Sequence, residues 1–594
     1  MVYFDNHESD TLLGLKIPKN KLSEDEKRNL YLNEFYTEEM YGPLTGYPTK
    51  DRPWLKSYTD DEIIRELPQV SAYSYLYRNN VASLNNIAIN YDNEKITYGK
   101  LFNKIDEAAK ALKQSGVKEN DVITLSIPNN IEFICLFYAI SKIGCTAHII
   151  DSNMDIKDIE KYIKAVGSTM TFIMDKNYES FKPLIDNNTI NKNVVITPKV
   201  KNISDLFKNY KVDYNDRTIN WKDFIDNGKK YEDETSRVEY IENRPLLIVH
   251  TSGTSGDKKT VVLTNENINA VALQCADSGI NIEKKDKWLT TLPNYRPAGI
   301  TMGIHLPLVN SLETILVPDC DEAKFEQIIL KNKPNYMIGI YKCYKKLLDS
   351  YKLNNKDFSF LKTPIAISDV YTNLEESINE FFKKHNCDAR ILKGYGMTEL
   401  GGPIAGTPHN NNAFGSVGIP FTKTIVGIFD PKTGKELQYN QDGEICISGP
   451  TVMDRYLDDK ELTNKVIKKH EDGRLWLHTG DRGYINEDGN LYVSYRLEDW
   501  ENQKGTGKKL EEKIRNYWTV DDCKVITNRD IKHRETYEAN IRFIDRVISD
   551  KVEEVAIRPI QALCEREFPN QFNLITYKFV DSIEKEEKEK VKTL

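Results

Sequence analysis

Apolar positions along this chain recur with two different periods, and the change from one to the other marks out its elements. Between Leu101 and Ser115 they return every third or fourth residue, with Leu101, Ile105, Ala108 or Ala109, and Leu112 on one face. That spacing predicts an amphipathic helix. Asp121–Ile127, Ala147–Ile150 and Met170–Met174 are short apolar runs that predict buried strands. Ile131–Ile143 predicts a largely buried helix and Asp155–Ala165 a further one. Strands alternating with helices of this length predict a parallel sheet covered on both faces.

Residues 186–243 interrupt the rhythm with Asn, Lys and Asp and read as a surface excursion. The alternation resumes at Leu246 and runs to about Gly394. From Gly415 to Tyr495 short apolar runs (Thr424–Phe429, Gly443–Ser448, Leu475–His478, Leu491–Ser494) are separated by Gly and Asp turns. The expected architecture is α/β. A large N-terminal domain (71–495) of mixed, mainly parallel sheets covered by helices includes a small β-rich subdomain at about 415–495. A small α+β C-terminal domain follows over 496–594. Residues 1–70, polar and punctuated by Pro and Gly around Tyr41–Pro48, read as a loosely packed extension with some helix.

Composition narrows this only slightly. A chain of 594 residues can hold several cores, and 39% hydrophobic with 29% charged residues is ordinary for a soluble protein. The net charge of -8 gives no electrostatic reason to expect nucleic acid or an anionic membrane as partner. Nine cysteines without one Cys-x-x-Cys pair fit reduced thiols in a cytoplasmic protein. The N-terminus has neither the basic nor the apolar region of a secretion signal. The longest apolar stretch, Phe133–Ile143, is too short to span a bilayer, so no transmembrane segment is expected.

Candidate chemistry begins at His250-Thr-Ser-Gly-Thr-Ser-Gly-Asp-Lys-Lys-Thr260. Hydroxyl residues alternate with Gly253 and Gly256 between two apolar runs, Leu246–Val249 and Val261–Leu263. Glycines let backbone N–H groups converge on an anion, hydroxyls add donors, and lysines add charge. The spacing lacks the Gly-Lys pair that closes a Walker loop, so this is a phosphate loop of another kind. A second segment, Lys393-Gly-Tyr-Gly-Met-Thr-Glu-Leu-Gly-Gly402, offers an aromatic ring, a hydroxyl and a carboxylate in one turn. In Trp476-Leu-His-Thr-Gly-Asp-Arg-Gly-Tyr484 a strand ends in a glycine turn that presents Asp481, an acidic residue suited to ribose hydroxyls. Arg496-Leu-Glu-Asp499 comes last, where the β-rich part gives way to the charged C-terminal part.

In this order and at these intervals the four segments resemble the adenylate-forming superfamily of acyl-CoA synthetases, adenylation domains and luciferases, the acyl-CoA synthetases most of all. The resemblance covers about residues 70–500. It implies activation of a carboxylic acid, fatty or aryl, by Mg·ATP to an acyl-adenylate with release of pyrophosphate. Transfer to coenzyme A, or to an acyl carrier protein, then releases AMP. By resemblance, Thr251, Ser252, Gly253, Thr254, Ser255, Gly256 and Lys259 cradle phosphates, and Asp369, Val370 and Tyr395 meet the adenine. Thr398 contacts the α-phosphate, Glu399 holds Mg²⁺, Asp481 and Arg496 bind ribose, and Asp499 is the hinge of the C-terminal domain. Counting on from Phe579–Ile583 puts Lys590 where the family has its adenylation lysine.

This chain departs from the family pattern at several points. Lys258-Lys259-Thr260 replaces Pro-Lys-Gly, Ser368-Asp369 replaces a Gly-Gly pair, Tyr495 stands before Arg496, and Glu584 and Glu589 replace the Pro and Gly around Lys590. Those departures motivate an alternative reading, a relative that binds nucleotide or acyl ligand without ligase activity. The acid pocket is expected to draw on Tyr295–Met302, Met337–Tyr341 and the backbone near Gly394.

Overall fold

The computed structural model describes residues 43–92, 94–196, 210–233, 235, 237–251, 258–317, 325–367, 372–407, 413, 415–496, 505–517, 519–529, 535–543, 550–568 and 575–580. They fall into two compact units. The first comprises nearly everything up to Tyr492, and the second chiefly the residues from Val493 onward with Tyr371–Glu376 and Gly480–Gly483.

In the first unit, the alternation of apolar strands and helices builds two large sheets. The eight-stranded sheet runs in the order Arg455–Tyr456, Thr260–Thr264, Pro245–His250, Thr146–Ile149, Val122–Ser126, Met170–Met174, Asn193–Ile196, Thr218–Asn220. From Pro245–His250 to the last strand every pairing is parallel. The first three strands pair antiparallel. The six-stranded sheet runs Thr363–Ala366, Tyr336–Gly339, Lys287–Thr290, Glu313–Leu316, Ile87–Tyr91, Glu94–Thr97, parallel except for the final pair.

The helix expected from Leu101 is Tyr98–Gln114, and it buries Leu101, Ile105, Ala108, Ala109 and Leu112. Thr97 caps it, its hydroxyl accepting the Lys100 N–H. Ile131–Lys142 is buried at every position but Glu132, as its apolar run requires.

Two expectations need revising. Asn193–Ile196 and Thr218–Asn220 extend the eight-stranded sheet, and Asn193–Ile196 is buried throughout, so part of the stretch read as an excursion is sheet. The run Val194-Val195-Ile196 is simply too short to stand out among polar neighbours. Residues 48–64, read as part of a loose extension, form three short helical turns. Trp54 there is 0% exposed, and Tyr58 Oη donates to Pro420 O at 3.0 Å.

A polar network is sealed into the same unit. Asn269 Nδ2 donates to Val70 O at 2.8 Å, which leaves Asn269 Oδ1 to accept from His305 Nε2 at 3.0 Å. His305 Nδ1 then accepts from Tyr138 Oη at 3.0 Å. Burial holds this neutral imidazole down at about 3. An unfolded histidine titrates near pH ~6.5, so below that pH the unfolded chain binds a proton that the folded chain refuses. Stability should therefore fall by about 1.4 kcal/mol per pH unit as pH drops through the window toward the folded value. In denaturant titrations, His305→Gln is expected to be the less stable protein near neutrality and to close on wild type as the medium is acidified. A gap that does not change with pH would show that His305 titrates alike in both states.

The β-rich part contains Ile425–Phe429, Gly443–Ser448, Leu475–Ile485 and Ile467–Lys469 in that order, with Leu491–Arg496 also paired to Leu475–Ile485. The strand expected to stop in a glycine turn does not stop there. It continues to Ile485 with Gly480 at φ 71°, so Asp481 lies within a strand.

The second unit has a three-stranded sheet: Val520–Arg529 pairs antiparallel with Glu535–Phe543, which pairs parallel with Ile575–Phe579. Helices Gly505–Arg515 and Asp550–Glu567 supply Leu510, Ile514, Ile560 and Cys564 to a core with Cys523, Ala539 and Ile541. This is a compact α+β unit.

Candidate active site

The hydroxyl-rich loop joins the two strands of an antiparallel hairpin in which His250 faces Thr260 and Val249 faces Val261. Thr251 closes its neck: Thr251 N–H donates to Lys259 O at 3.0 Å, and Lys259 N–H donates to Thr251 Oγ1 at 3.1 Å. Ser252, Gly253, Thr254, Ser255 and Gly256 lie outside the described residues.

Below the neck the stem carries a chain of side-chain hydrogen bonds whose proton order can be worked out from its far end. Ser168 Oγ donates to Met170 O at 3.0 Å, and Thr124 Oγ1 donates to Ser168 Oγ at 2.8 Å. Thr124 has then spent its hydrogen, so His148 Nδ1 donates to it at 3.0 Å. Burial pushes His148 well below its usual range, and burial, aided by Lys258, lowers His250 to about 3. Both rings are therefore neutral near pH ~7. It follows that His250 Nε2 donates to His148 Nε2 at 2.9 Å, and Thr260 Oγ1 donates to His250 Nδ1 at 3.2 Å. Tyr162 packs on His250 with ring centroids 3.8 Å apart. Thr260, which replaces a family glycine, thus has a partner in the stem.

The strand Arg455–Tyr456 pairs with Thr260–Thr264 and brings a residue that the sequence reading had passed over. Tyr456, 3% exposed, donates its hydroxyl to Glu399 Oε1 at 2.7 Å. Its ring lies beneath Lys259, with Nζ 5.4 Å from the centroid. Glu399 is 5% exposed on the 3-10 turn Thr398–Leu400, and its backbone carbonyl accepts Met453 N–H at 2.8 Å. Among the described residues, the side-chain hydrogen bond to Glu399 goes to Oε1 alone. A buried carboxylate with one oxygen anchored and the other open fits a hard divalent cation such as Mg²⁺. Tyr456→Phe keeps the ring beneath Lys259 and removes only the hydroxyl. It is expected to cost about 1.5–3 kcal/mol in denaturant titrations, the usual worth of a hydrogen bond to a charged group. An unchanged midpoint would mean that the carboxylate finds another donor.

Tyr395 is buried in the strand Gly394–Met397, which pairs antiparallel with Gly402–Gly406 and is irregular between Tyr395 and Gly396. Gly396 has no room for a side chain, because a Cβ there would sit 2.2 Å from Gly402 O. Since the obstacle is backbone, Gly396→Ala is expected to destabilise by about 1–3 kcal/mol and to shift the Tyr395 ring. Chemical denaturation checks the first effect and tyrosine fluorescence on nucleotide addition the second.

The segment expected to line the acid pocket is an irregular helix: Pro297–Ile300, one π-helical turn at Thr301–His305, then Leu306–Val309. Such turns are frequent at functional sites. Thr301 Oγ1 joins it to the Glu399 turn, reaching Pro297 O at 3.1 Å and Gly401 O at 2.9 Å. Met337 and Ile338 are fully buried on the neighbouring strand, where Ile338 O accepts Thr291 N–H at 3.3 Å.

The structure therefore brings Thr251, Lys259, Tyr456 and Glu399 together, with Thr398 beside Glu399 on the same turn. Asp481 lies on Leu475–Ile485, and Arg496 ends the strand Leu491–Arg496. Asp369, Val370, Asp499 and Lys590 lie outside the described residues.

Two helix-covered sheets, a hydroxyl-rich hairpin loop and a glycine-flanked tyrosine followed by a buried carboxylate define an adenylate-forming enzyme fold. The chain belongs to the AMP-binding enzyme family, whose pattern matches residues 77–457. It is similar to a long-chain-fatty-acid–CoA ligase of Bacillus subtilis (strain 168), 27% identical over 462 residues that cover 75% of this chain and 80% of that protein. It is also similar to a 4-coumarate–CoA ligase-like protein of Arabidopsis thaliana, 25% identical over 442 residues, 73% of this chain and 77% of that protein. Among solved structures, the anthranilate CoA ligase AuaEII in complex with anthranoyl-AMP superposes with a TM-score of 0.72 at 18% identity, covering 87% of this chain and 94% of that one. The protein is an adenylate-forming enzyme similar to acyl-CoA ligases. No helix among the described residues is long and apolar enough to cross a membrane.

Proposed function

We propose that this enzyme activates a fatty or aryl carboxylic acid with ATP and passes the acyl group to coenzyme A. An acid oxygen attacks the α-phosphorus, the bond to pyrophosphate breaks, and an acyl-adenylate remains. The sulfur of coenzyme A then attacks the acyl carbon and AMP leaves. The observation that carries this reading is the Lys259–Tyr456–Glu399 arrangement at the neck of the hairpin loop, an ammonium and an open carboxylate oxygen held on one phenol.

In this reading Thr251, the loop residues Ser252–Gly256 and Lys259 donate to phosphate oxygens, and Thr398 donates to the α-phosphate. Tyr395, Asp369 and Val370 meet the base, while Asp481 and Arg496 fix the ribose. Glu399 holds Mg²⁺, which when bound offsets phosphate charge. In the same reading Lys590 supplies positive charge to the acid and α-phosphate oxygens, and Asp499 serves as the hinge between half-reactions. Phosphoryl chemistry of this kind asks the protein mainly for position and charge. The acid class draws support from the names of the relatives, one a fatty-acid ligase and one a coumarate-type ligase.

The test is pyrophosphate release across a panel of fatty and aryl acids, followed by AMP release on adding coenzyme A or a phosphopantetheine-bearing carrier protein. Acid-dependent pyrophosphate with coenzyme A-dependent AMP is expected. ATP binding without turnover on any acid would replace this reading with a nucleotide-binding role. Transfer to the carrier alone would change the acceptor.

A further inference from the structure

Apart from the nucleotide residues, one side-chain cluster in the β-rich part has the composition of a metal centre. Strands Gly443–Ser448 and Leu475–Ile485 are neighbours in their sheet, and they bring Glu444, Cys446 and His478 together with their donor atoms within 4.8 Å of one another. His478 Nδ1 is 2.8 Å from Glu444 Oε2 and 3.5 Å from Cys446 Sγ. Both groups meet the same ring nitrogen. A nucleophilic triad would need the thiol on one nitrogen and the carboxylate on the other, and Cys446 is in any case 0% exposed.

We propose that Glu444, Cys446 and His478 bind a single divalent ion of the zinc class. Tetrahedral zinc bonds of ordinary length put a ring nitrogen and a thiolate sulfur about 3.6 Å apart, which the Nδ1–Sγ spacing already matches. Only the carboxylate has to retreat, by about half an ångström. A dication with one thiolate and one carboxylate makes a neutral unit, which removes the usual penalty for a buried charge. Mixed sulfur, nitrogen and oxygen donors select zinc over magnesium or calcium.

The surroundings also suit a metal ligand. His478 Nε2 lies 3.0 Å from His470 Nε2, so its N–H can donate there while Nδ1 holds the ion. The His470 ring is fixed against Trp476, with centroids 5.6 Å apart and planes 23° from parallel, and against the edge of Phe429 at 4.7 Å. Side-chain exposures of 11% for both His478 and Glu444 leave a way in and room for a solvent fourth ligand. In binding, the Cys446 S–H bond is exchanged for a metal–sulfur bond and one proton is released. The histidine protons move only between ring nitrogens. The ion would bridge two strands three residues before Asp481, so we assign it a structural role.

The experiment is cobalt titration of full-length protein freed of metal with a chelator. One equivalent of Co²⁺ should produce an intense near-ultraviolet sulfur-to-metal band together with the visible bands of four-coordination, and Zn²⁺ should abolish both. Cys446→Ser should lose the sulfur band. Glu444→Gln and His478→Gln should weaken Zn²⁺ binding by more than ~10-fold, while His470→Gln keeps the band and weakens binding by about 10-fold or more. Zn²⁺ should also raise the melting temperature of wild type and not of His478→Gln. Absence of the band at stoichiometric cobalt, or its survival in Cys446→Ser, would overturn the proposal. If Cys446→Ser does not fold by circular dichroism, His478→Gln decides: undiminished Zn²⁺ affinity there rules the site out.

Discussion

Glutamine at position 399 is expected to lower acid-dependent pyrophosphate release by about 10²–10³-fold, the range seen when one preorganised electrostatic group is removed from a transition state. The substitution is nearly isosteric, and the amide oxygen can still accept the Tyr456 hydroxyl that lies 2.7 Å from Glu399 Oε1. The turn Thr398–Leu400 should keep its shape, since its other anchor is the backbone bond from Met453. Only the charge offered to a cation disappears. The loss should therefore appear in turnover and in the magnesium concentration needed for half-maximal rate, with unchanged circular dichroism and a stability lowered by no more than about 1–2 kcal/mol as the Tyr456 bond loses its charged acceptor. A fully active Glu399→Gln protein would show that this carboxylate does not hold the ion.

Lys590→Ala is expected to have an effect of similar size, and only on one half of the reaction. In the proposed function this lysine neutralises charge building between the acid and the α-phosphate, so its removal should slow adenylation by at least ~10²-fold. Transfer from synthetic acyl-adenylate to coenzyme A should stay near wild type. Lys590 stands among Glu584, Glu586, Glu587 and Glu589, with Lys585 and Lys588 also nearby in sequence. Lys588→Ala is thus the control, expected to adenylate at nearly the normal rate. Loss in Lys588→Ala with none in Lys590→Ala would move the role to the neighbour, and loss in neither would remove the segment from the mechanism. Arginine at 590 should not rescue, because a planar guanidinium does not replace a compact ammonium.

The sequence was informative where function depends on neighbours along the chain. The hairpin, the buried helix Ile131–Lys142 and the Gly394–Gly402 turn all announce themselves by local pattern, because a strand or an apolar helix is defined by its own residues. Tyr456 was not legible. Its role arises from pairing of Arg455–Tyr456 with Val261–Val262, and no local period signals a partner nearly two hundred residues away. The stem histidines were missed for the same reason, since His148 and His250 meet only across neighbouring strands. Asp481 stands within a strand and not at the end of one, because Gly480 reads as the end of a strand and here only bends one that continues.

The chain of hydrogen bonds beneath the loop has a consequence for how anions are met. Its far end is the Met170 carbonyl, which can only accept, so the sequence of donors cannot be reversed. Every hydrogen from Thr260 through His250, His148, Thr124 and Ser168 is passed along the chain toward the Met170 carbonyl. What the Thr260 hydroxyl has left to offer is therefore lone pairs. Under the proposed function, the hydroxyl that stands in for the family glycine has no hydrogen left to give a phosphate oxygen, so Thr260 adds a lone-pair acceptor, and not a donor, at the foot of the loop.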